Sequence, residues 1–275
     1  NRTDLRDKWG TVYFIMSRIL SIGAGVMGTA ITIPAVTNGH EAKIVGTSLD
    51  EEIIDSINKN SVHPKLNVQL TNTSALLFNQ MTQEDIDNSD VIVIGINSSG
   101  IDWFIELIKN FKVVNKKFLI VTKGLYMNEK KELDIFPNKI KNEIKQDLSL
   151  TAVTGPCKAI ELAKKNLTNI CFVNSDLDTA INLANLFKND YYVIKSQSDL
   201  LGAELCAALK NVYAIAVGYS QTYFSKEEKI FNPESALFSH CVNEMSHLVT
   251  LMGGLPETVF SLSGLGDLHV TSGTG

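Results

Sequence analysis

The feature that most restricts the fold of this chain is three glycines at fixed spacing, Gly23-Ala-Gly-Val-Met-Gly28. They stand between an apolar segment at 18–22 and a helix-compatible segment at 29–36. Strand, glycine turn and helix in that order make the first βα unit of a dinucleotide-binding sheet. Each glycine has its own steric task. Gly23 permits the tight turn, Gly25 lets a pyrophosphate approach the backbone, and Gly28 lets the helix lie close to the strand. Together with Val26 and Met27 they are the expected cofactor contacts, at a helix N-terminus whose N–H groups and dipole favour phosphate. Pro34 fits that helix only in its first turn or at a kink, because it lacks an N–H and crowds the preceding turn.

A second strand is expected at 42–47. In an NAD site a carboxylate near the end of this strand holds the ribose 2′-hydroxyl. Here the strand ends in Gly46-Thr47-Ser48, with no acid before Asp50. Thr47 and Ser48 are therefore expected at the ribose, and NADP is permitted beside NAD because no carboxylate repels a 2′-phosphate. Residues 50–58 read as a helix, followed by a polar connection through His63-Pro64. Residues 89–96 read as a buried parallel strand that delivers Asn97 to its carboxyl end, where open α/β sheets bind ligands. A helix at 103–111 and a strand at 117–122 then place Lys123 and Gly124 at the same crevice. A helix at 138–146, a strand at 150–153 and the turn Thr154-Gly155-Pro156-Cys157 into a further helix come next. Strands at 170–174 and 191–195, with a helix at 176–188 between them, complete the pattern.

From Ser196 onward the strand pattern gives way to helices, so a domain boundary is expected near Lys195. Residues 202–218 form an apolar helix with small residues around nearly its whole circumference, which predicts burial on most sides. Lys210 and Asn211 lie in its middle, with Glu204 one and a half turns earlier. A lysine in such surroundings either stretches its stem to water or has a lowered pKa and passes a proton. This helix alone leaves both open. A second long helix at 234–252 carries His240, Glu244 and His247 with Cys241 nearby, but no further ligand stands out and no metal is expected. The glycine-rich segment 262–275 surrounds Asp267, either as a terminal loop or as part of a site.

Totals exclude several classes. A length of 275 residues favours two domains. A net charge of −5 gives no general attraction to nucleic acid or anionic membranes, and no apolar run reaches transmembrane length. The four cysteines form no CxxC, which fits reduced thiols in the cytoplasm. Residues 1–15 are expected to be a leader or an expression remnant, with Met16 as the natural start.

Five motifs in order resemble the NAD(P)-dependent glycerol-3-phosphate dehydrogenases. They are Gly23 to Gly28, Val121-Thr-Lys-Gly-Leu125, Thr154-Gly-Pro156, the Ala-Leu-Lys-Asn core of 204–212, and Ser263-Gly-Leu-Gly-Asp-Leu268 with Thr271. Gly46-Thr-Ser-Leu-Asp-Glu-Glu-Ile53 and His63-Pro-Lys-Leu66 are similar to an archaeal-like branch. The resemblance implies an α/β fold, with an N-terminal Rossmann-type doubly wound sheet over 16–195. An all-α domain over 196–275, its C-terminal part missing, follows. It implies hydride transfer between dihydroxyacetone phosphate and sn-glycerol 3-phosphate, supplying glycerophospholipid precursors, in a homodimer. Lys210 matches the catalytic proton donor and acceptor, Lys123 the lysine that meets substrate and cofactor, and Asp267 the acid that orients or tunes Lys210. Asn211 and Thr271 match substrate contacts, and Gly155, Cys157 and Ala159 match the turn lining substrate and cofactor. Two departures stand out. Cys157 replaces a small hydroxyl or amide residue, and the Arg-Asn pair that grips the substrate phosphate in the family does not appear before Gly275. A chain ending there is expected to bind phosphate poorly and to expose a cut helical core. A ketopantoate-type reductase and a truncated, non-catalytic nicotinamide-binding protein are the alternatives.

Overall fold

Continuous apolar runs such as Val91–Ile94 are buried on both faces, which only a sheet covered on both sides provides. The computed structural model describes residues 4–6, 12–14, 16–224 and 230–273. Its eight-stranded sheet contains β1 (Arg18–Ile22), β2 (Glu41–Gly46), β3 (Thr73–Leu77), β4 (Val91–Ile94), β5 (Lys117–Ile120), β6 (Ser149–Thr154), β7 (Thr168–Val173) and β8 (Tyr192–Gln197). The spatial order is β8-β7-β6-β5-β4-β1-β2-β3. Strands β1 to β6 are parallel, β7 runs antiparallel to β6, and β8 pairs parallel with β7. Strand order reverses between β1 and β4, the switch point where a dinucleotide crevice opens. The expected Rossmann-type doubly wound sheet is what the chain forms.

The two sheet faces carry separate cores. Ile19, Ile44, Phe172 and Tyr192 pack on one side, and Leu20, Ile22, Phe104 and Phe118 on the other. Each such fully buried side chain contributes about 1.5–3 kcal/mol. The second core continues without a break into Leu205, Tyr213, Met245 and Leu268 of the helices that follow the sheet.

Several elements differ from the sequence expectation. The first helix divides into α1 (Val26–Ala30) and α2 (Thr32–Thr37) around Ile31, because Pro34 has no N–H to give the Ala30 carbonyl. Strand β3 was not expected. Its Thr-Ser-Ala-Leu-Leu sequence is mixed, and only pairing with β2 makes it the sheet edge. The connection through His63 and Pro64 is a small hairpin pairing Val62–His63 with Val68–Gln69. A second hairpin pairs Leu125–Met127 with Leu133–Ile135. The leader expected at 1–15 lies largely outside the described residues, apart from the backbone pairing of Asp4–Arg6 with Val12–Phe14.

Helix α3 (Leu200–Phe224) is longer than expected and buried on most sides only through its first half. Beyond Lys210, Val212, Ile215 and Tyr219 are more than 60% exposed. By length and composition this helix could cross a membrane, contrary to the expectation that no apolar run is long enough. Its buried first half and the pairing of Lys210 described below make it a core helix. Helix α4 (Asn232–Leu251) packs beside it. The glycine-rich segment is no loop: a short helix, Pro256–Val259, leads into a π-helical turn, Leu262–Gly266, and then helix α5 (Asp267–Ser272).

Candidate active site

The glycine turn shapes the crevice by close backbone packing. Gly23 has φ +117°, and a Cβ there would sit 2.5 Å from the Gly95 carbonyl oxygen at the end of β4. A Cβ on Gly28 would run into the Gly23 carbonyl, so α1 crosses β1 and β4 at a distance only glycine permits. Around Gly25 nothing among the described residues lies within 4 Å of an added Cβ, which leaves the backbone open to a ligand. Beside it lies a cavity of about 450 Å³ lined by Gly23, Gly25, Thr47, Ser48, Asp50 and Asn97, among others. Its position at the switch point and its bare glycine backbone fit a dinucleotide.

The end of β2 is less free of acid than its sequence implied. Asp50 folds back, and its carboxylate accepts from the Thr47 N–H and the Thr47 hydroxyl, both at 2.8 Å. The Thr47 hydroxyl is thereby committed, and a carboxylate does line the crevice. Asn97 is also engaged, since its side-chain oxygen accepts from the Gly100 N–H and the Ser99 hydroxyl and so fixes the crevice lip. Val26, Met27 and Gly28 sit in the first turn of α1. Ala159 opens the short helix Ala159–Ala163, which packs against α1.

Beyond the carboxyl end of β5 three charged side chains from distant segments meet. Asp267, 1% exposed at the start of α5, accepts from Lys123 Nζ at 2.8 Å through one oxygen and from Lys210 Nζ through the other. Lys123 follows β5 and keeps 26% of its side chain exposed, while Lys210 keeps 10%. Burial, reinforced by the Lys123 charge, pulls the Lys210 pKa down to about 8 against the attraction of Asp267. For Lys123 burial also acts downward, but the Asp267 charge and hydrogen bonds outweigh it and the net shift is upward. One lysine thus stays charged while the other titrates near working pH. Lys210 does not snorkel.

The remaining expected residues lie on several different elements. Gly155 holds φ +105° behind β6. The Cys157 thiol is pushed up to about 12 by burial, and the charges of Lys123, Asp267 and Lys210 act on it as well. The Thr271 hydroxyl donates to the Asp267 backbone carbonyl at 2.7 Å, bracing α5. Asn211 is exposed and makes no described side-chain hydrogen bond. His240, Glu244 and His247 lie on an exposed face of α4, and no group of three metal-capable side chains gathers among the described residues.

Two residues named from the sequence without an assigned role are also engaged here. Ser263 in the π-turn shares a 2.7 Å hydrogen bond with Thr154 at the end of β6 and donates to Gln197, tying the Asp267 segment to the sheet. Glu204 is 1% exposed, with one carboxyl oxygen unpartnered among the described residues. Burial raises its pKa to about 8, against the charge of Lys123. Its placement near the start of α3 among apolar residues was the available signal.

Fold and site together define a dinucleotide-dependent oxidoreductase, with a Rossmann-type sheet followed by helices that carry a lysine–aspartate pair to its edge. The profile for the N-terminus of NAD-dependent glycerol-3-phosphate dehydrogenase matches residues 18–180, and that for its C-terminus matches 199–275. The chain is 32% identical over 253 residues to the NADP(+)-dependent glycerol-3-phosphate dehydrogenase of Archaeoglobus fulgidus, covering 91% of this chain and 74% of that one. It is 27% identical to the glycerol-3-phosphate dehydrogenase [NAD(P)+] of Bacillus anthracis, over 93% of this chain and 73% of the other. The solved Coxiella burnetii glycerol-3-phosphate dehydrogenase shares its fold, with TM-score 0.82, 23% identity, and 94% and 76% of the two chains covered. A 2-dehydropantoate 2-reductase structure from Enterococcus faecalis, covering 92% and 82%, is more distant, at TM-score 0.54 and 13% identity. The chain belongs to the NAD-dependent glycerol-3-phosphate dehydrogenase family.

Proposed function

We propose that this chain reversibly reduces dihydroxyacetone phosphate to sn-glycerol 3-phosphate with NADH or NADPH, as a step toward glycerolipids. The observation that carries the chemistry is Asp267 bridging Lys123 and Lys210. The bound nicotinamide supplies the hydride. Lys210 delivers the proton to the carbonyl oxygen in reduction and removes it from the hydroxyl in oxidation, the role its lowered pKa suits. Lys123 remains positive and stabilises the developing alkoxide and the substrate phosphate. Asp267 orients both ammonium groups, while Asn211, Thr271, Gly155 and Cys157 border the substrate. Gly23, Gly25, Val26, Met27, Gly28, Thr47, Ser48, Asn97 and Ala159 surround the dinucleotide. The division near Lys195, a homodimer and a cytoplasmic setting belong to the same proposal. Loss of reduced-nicotinamide absorbance with dihydroxyacetone phosphate, NADH and NADPH in parallel, tests it, with 2-dehydropantoate as the rival substrate. Turnover that needs dihydroxyacetone phosphate and is lost in Lys210→Ala supports the proposal. Turnover with 2-dehydropantoate alone refutes it.

A further inference from the structure

His63 stands outside the cofactor and substrate contacts, yet it is fully buried and bonded through both ring nitrogens. It lies in the hairpin after the second strand, where Pro64 and the positive-φ Asn67 (φ 52°) make the turn and the Asn67 N–H donates to the His63 carbonyl at 2.8 Å. Nδ1 accepts from the Leu66 N–H at 3.2 Å, so that nitrogen carries a lone pair and the ring proton of the neutral imidazole belongs on Nε2. Nε2 then donates to the Ala24 carbonyl, 2.9 Å away, inside the glycine turn. Burial holds the His63 pKa below its usual value, which keeps this neutral form in place.

A trans peptide is planar, and its carbonyl and following N–H point in opposite directions. With the Ala24 carbonyl held toward His63, the N–H of Gly25 points the other way. Gly25 lines the crevice, and its N–H has no hydrogen-bond acceptor among the described residues. We propose that His63 is a positioning residue for the dinucleotide: by fixing the Ala24–Gly25 peptide it aims the Gly25 N–H at the pyrophosphate. This rests on the dinucleotide reading of the crevice.

The test compares H63L, H63N and H63Q with the unmodified chain. It measures Kd for NADPH and NADH by fluorescence titration, KM and kcat with dihydroxyacetone phosphate, and melting temperature. Glutamine keeps an N–H where Nε2 stood, whereas asparagine reaches only to the Nδ1 position. H63L and H63N should raise cofactor Kd and KM by about tenfold, the loss expected when one phosphate hydrogen bond is misaimed. Their kcat at saturating cofactor should stay within about twofold, since Lys210 and Asp267 are untouched. H63Q should recover most of the affinity. If H63L fails to fold, the H63N and H63Q pair decides. Equal Kd across the variants, even with lower melting temperatures, would reduce His63 to a stabilising residue and overturn the proposal. An unmodified chain that binds neither dinucleotide would remove the crevice reading and this proposal with it.

Discussion

Replacing Asp267 by asparagine keeps the side-chain shape and removes the one negative charge that two lysines share. The asparagine oxygen can still accept from one ammonium group, and the other loses its partner. Asp267 is 1% exposed and Lys210 is nearly as buried, so water screens little of the repulsion that remains. Removing one member of a buried ion pair costs about 3–5 kcal/mol. Lys210 can relieve part of that cost by shedding its proton. Its pKa is already lowered to about 8, by burial first, and Asp267 is what opposes that shift. Loss of a neighbouring opposite charge moves a pKa by about 1–3 units, here downward. Well below the variant's pKa, Lys210 is protonated in both folded proteins and the full penalty applies. Above pH 8 it is neutral in both, and the penalty shrinks by about 1–4 kcal/mol. Denaturant unfolding of both proteins at about pH 4 and about pH 9 measures the difference. The falling limb of the reduction rate should also move to lower pH, because the variant's lysine loses its proton earlier. Equal destabilisation at both pH values, with the rate limb unmoved, would refute this account of the charge balance.

Other consequences can be checked separately. Lys210→Met should lower the reduction kcat by about 10²–10⁴ with cofactor Kd unchanged. In the unmodified chain reduction should fall and oxidation rise as pH passes about 8, because reduction needs the protonated amine and oxidation the free one. A rate profile flat through that range would oppose the assignment. Glu204→Gln should stabilise the fold increasingly between pH 4.5 and about 8. A carboxyl whose folded pKa is raised binds its proton more tightly in the folded state, so its ionisation costs stability as pH rises. The gain should reach several kcal/mol near pH 8 and be small near pH 4.5; a melting-temperature gain that does not grow with pH would count against it. Gly23→Ala should destabilise by about 3 kcal/mol, through its positive φ and the approach to the Gly95 carbonyl, and should abolish dinucleotide binding. Calorimetry and fluorescence titration report the two effects.

The sequence by itself determined the features whose physics is local. Three glycines between a strand and a helix have one close-packed solution, and Gly23 and Gly28 occupy it. Fully apolar runs such as Val91–Ile94 announce interior parallel strands because nothing else buries both faces. A charged lysine within an apolar helix marks a place where burial and function compete. Only the tertiary structure decided how that competition ends at Lys210, because its partner lies 57 residues away on a helix that the sequence left open between a terminal loop and part of a site. The same holds for Asp50, whose carboxylate turns back on Thr47, and for the edge strand Thr73–Leu77, whose mixed sequence gains its form from β2. It holds as well for His63, which reads as a turn residue and meets the glycine loop 39 residues earlier. Patterning reports what each residue prefers. Charge pairing and backbone hydrogen bonds across the chain depend on which preferences meet in space, and that is settled only when the sheet and helices close around them.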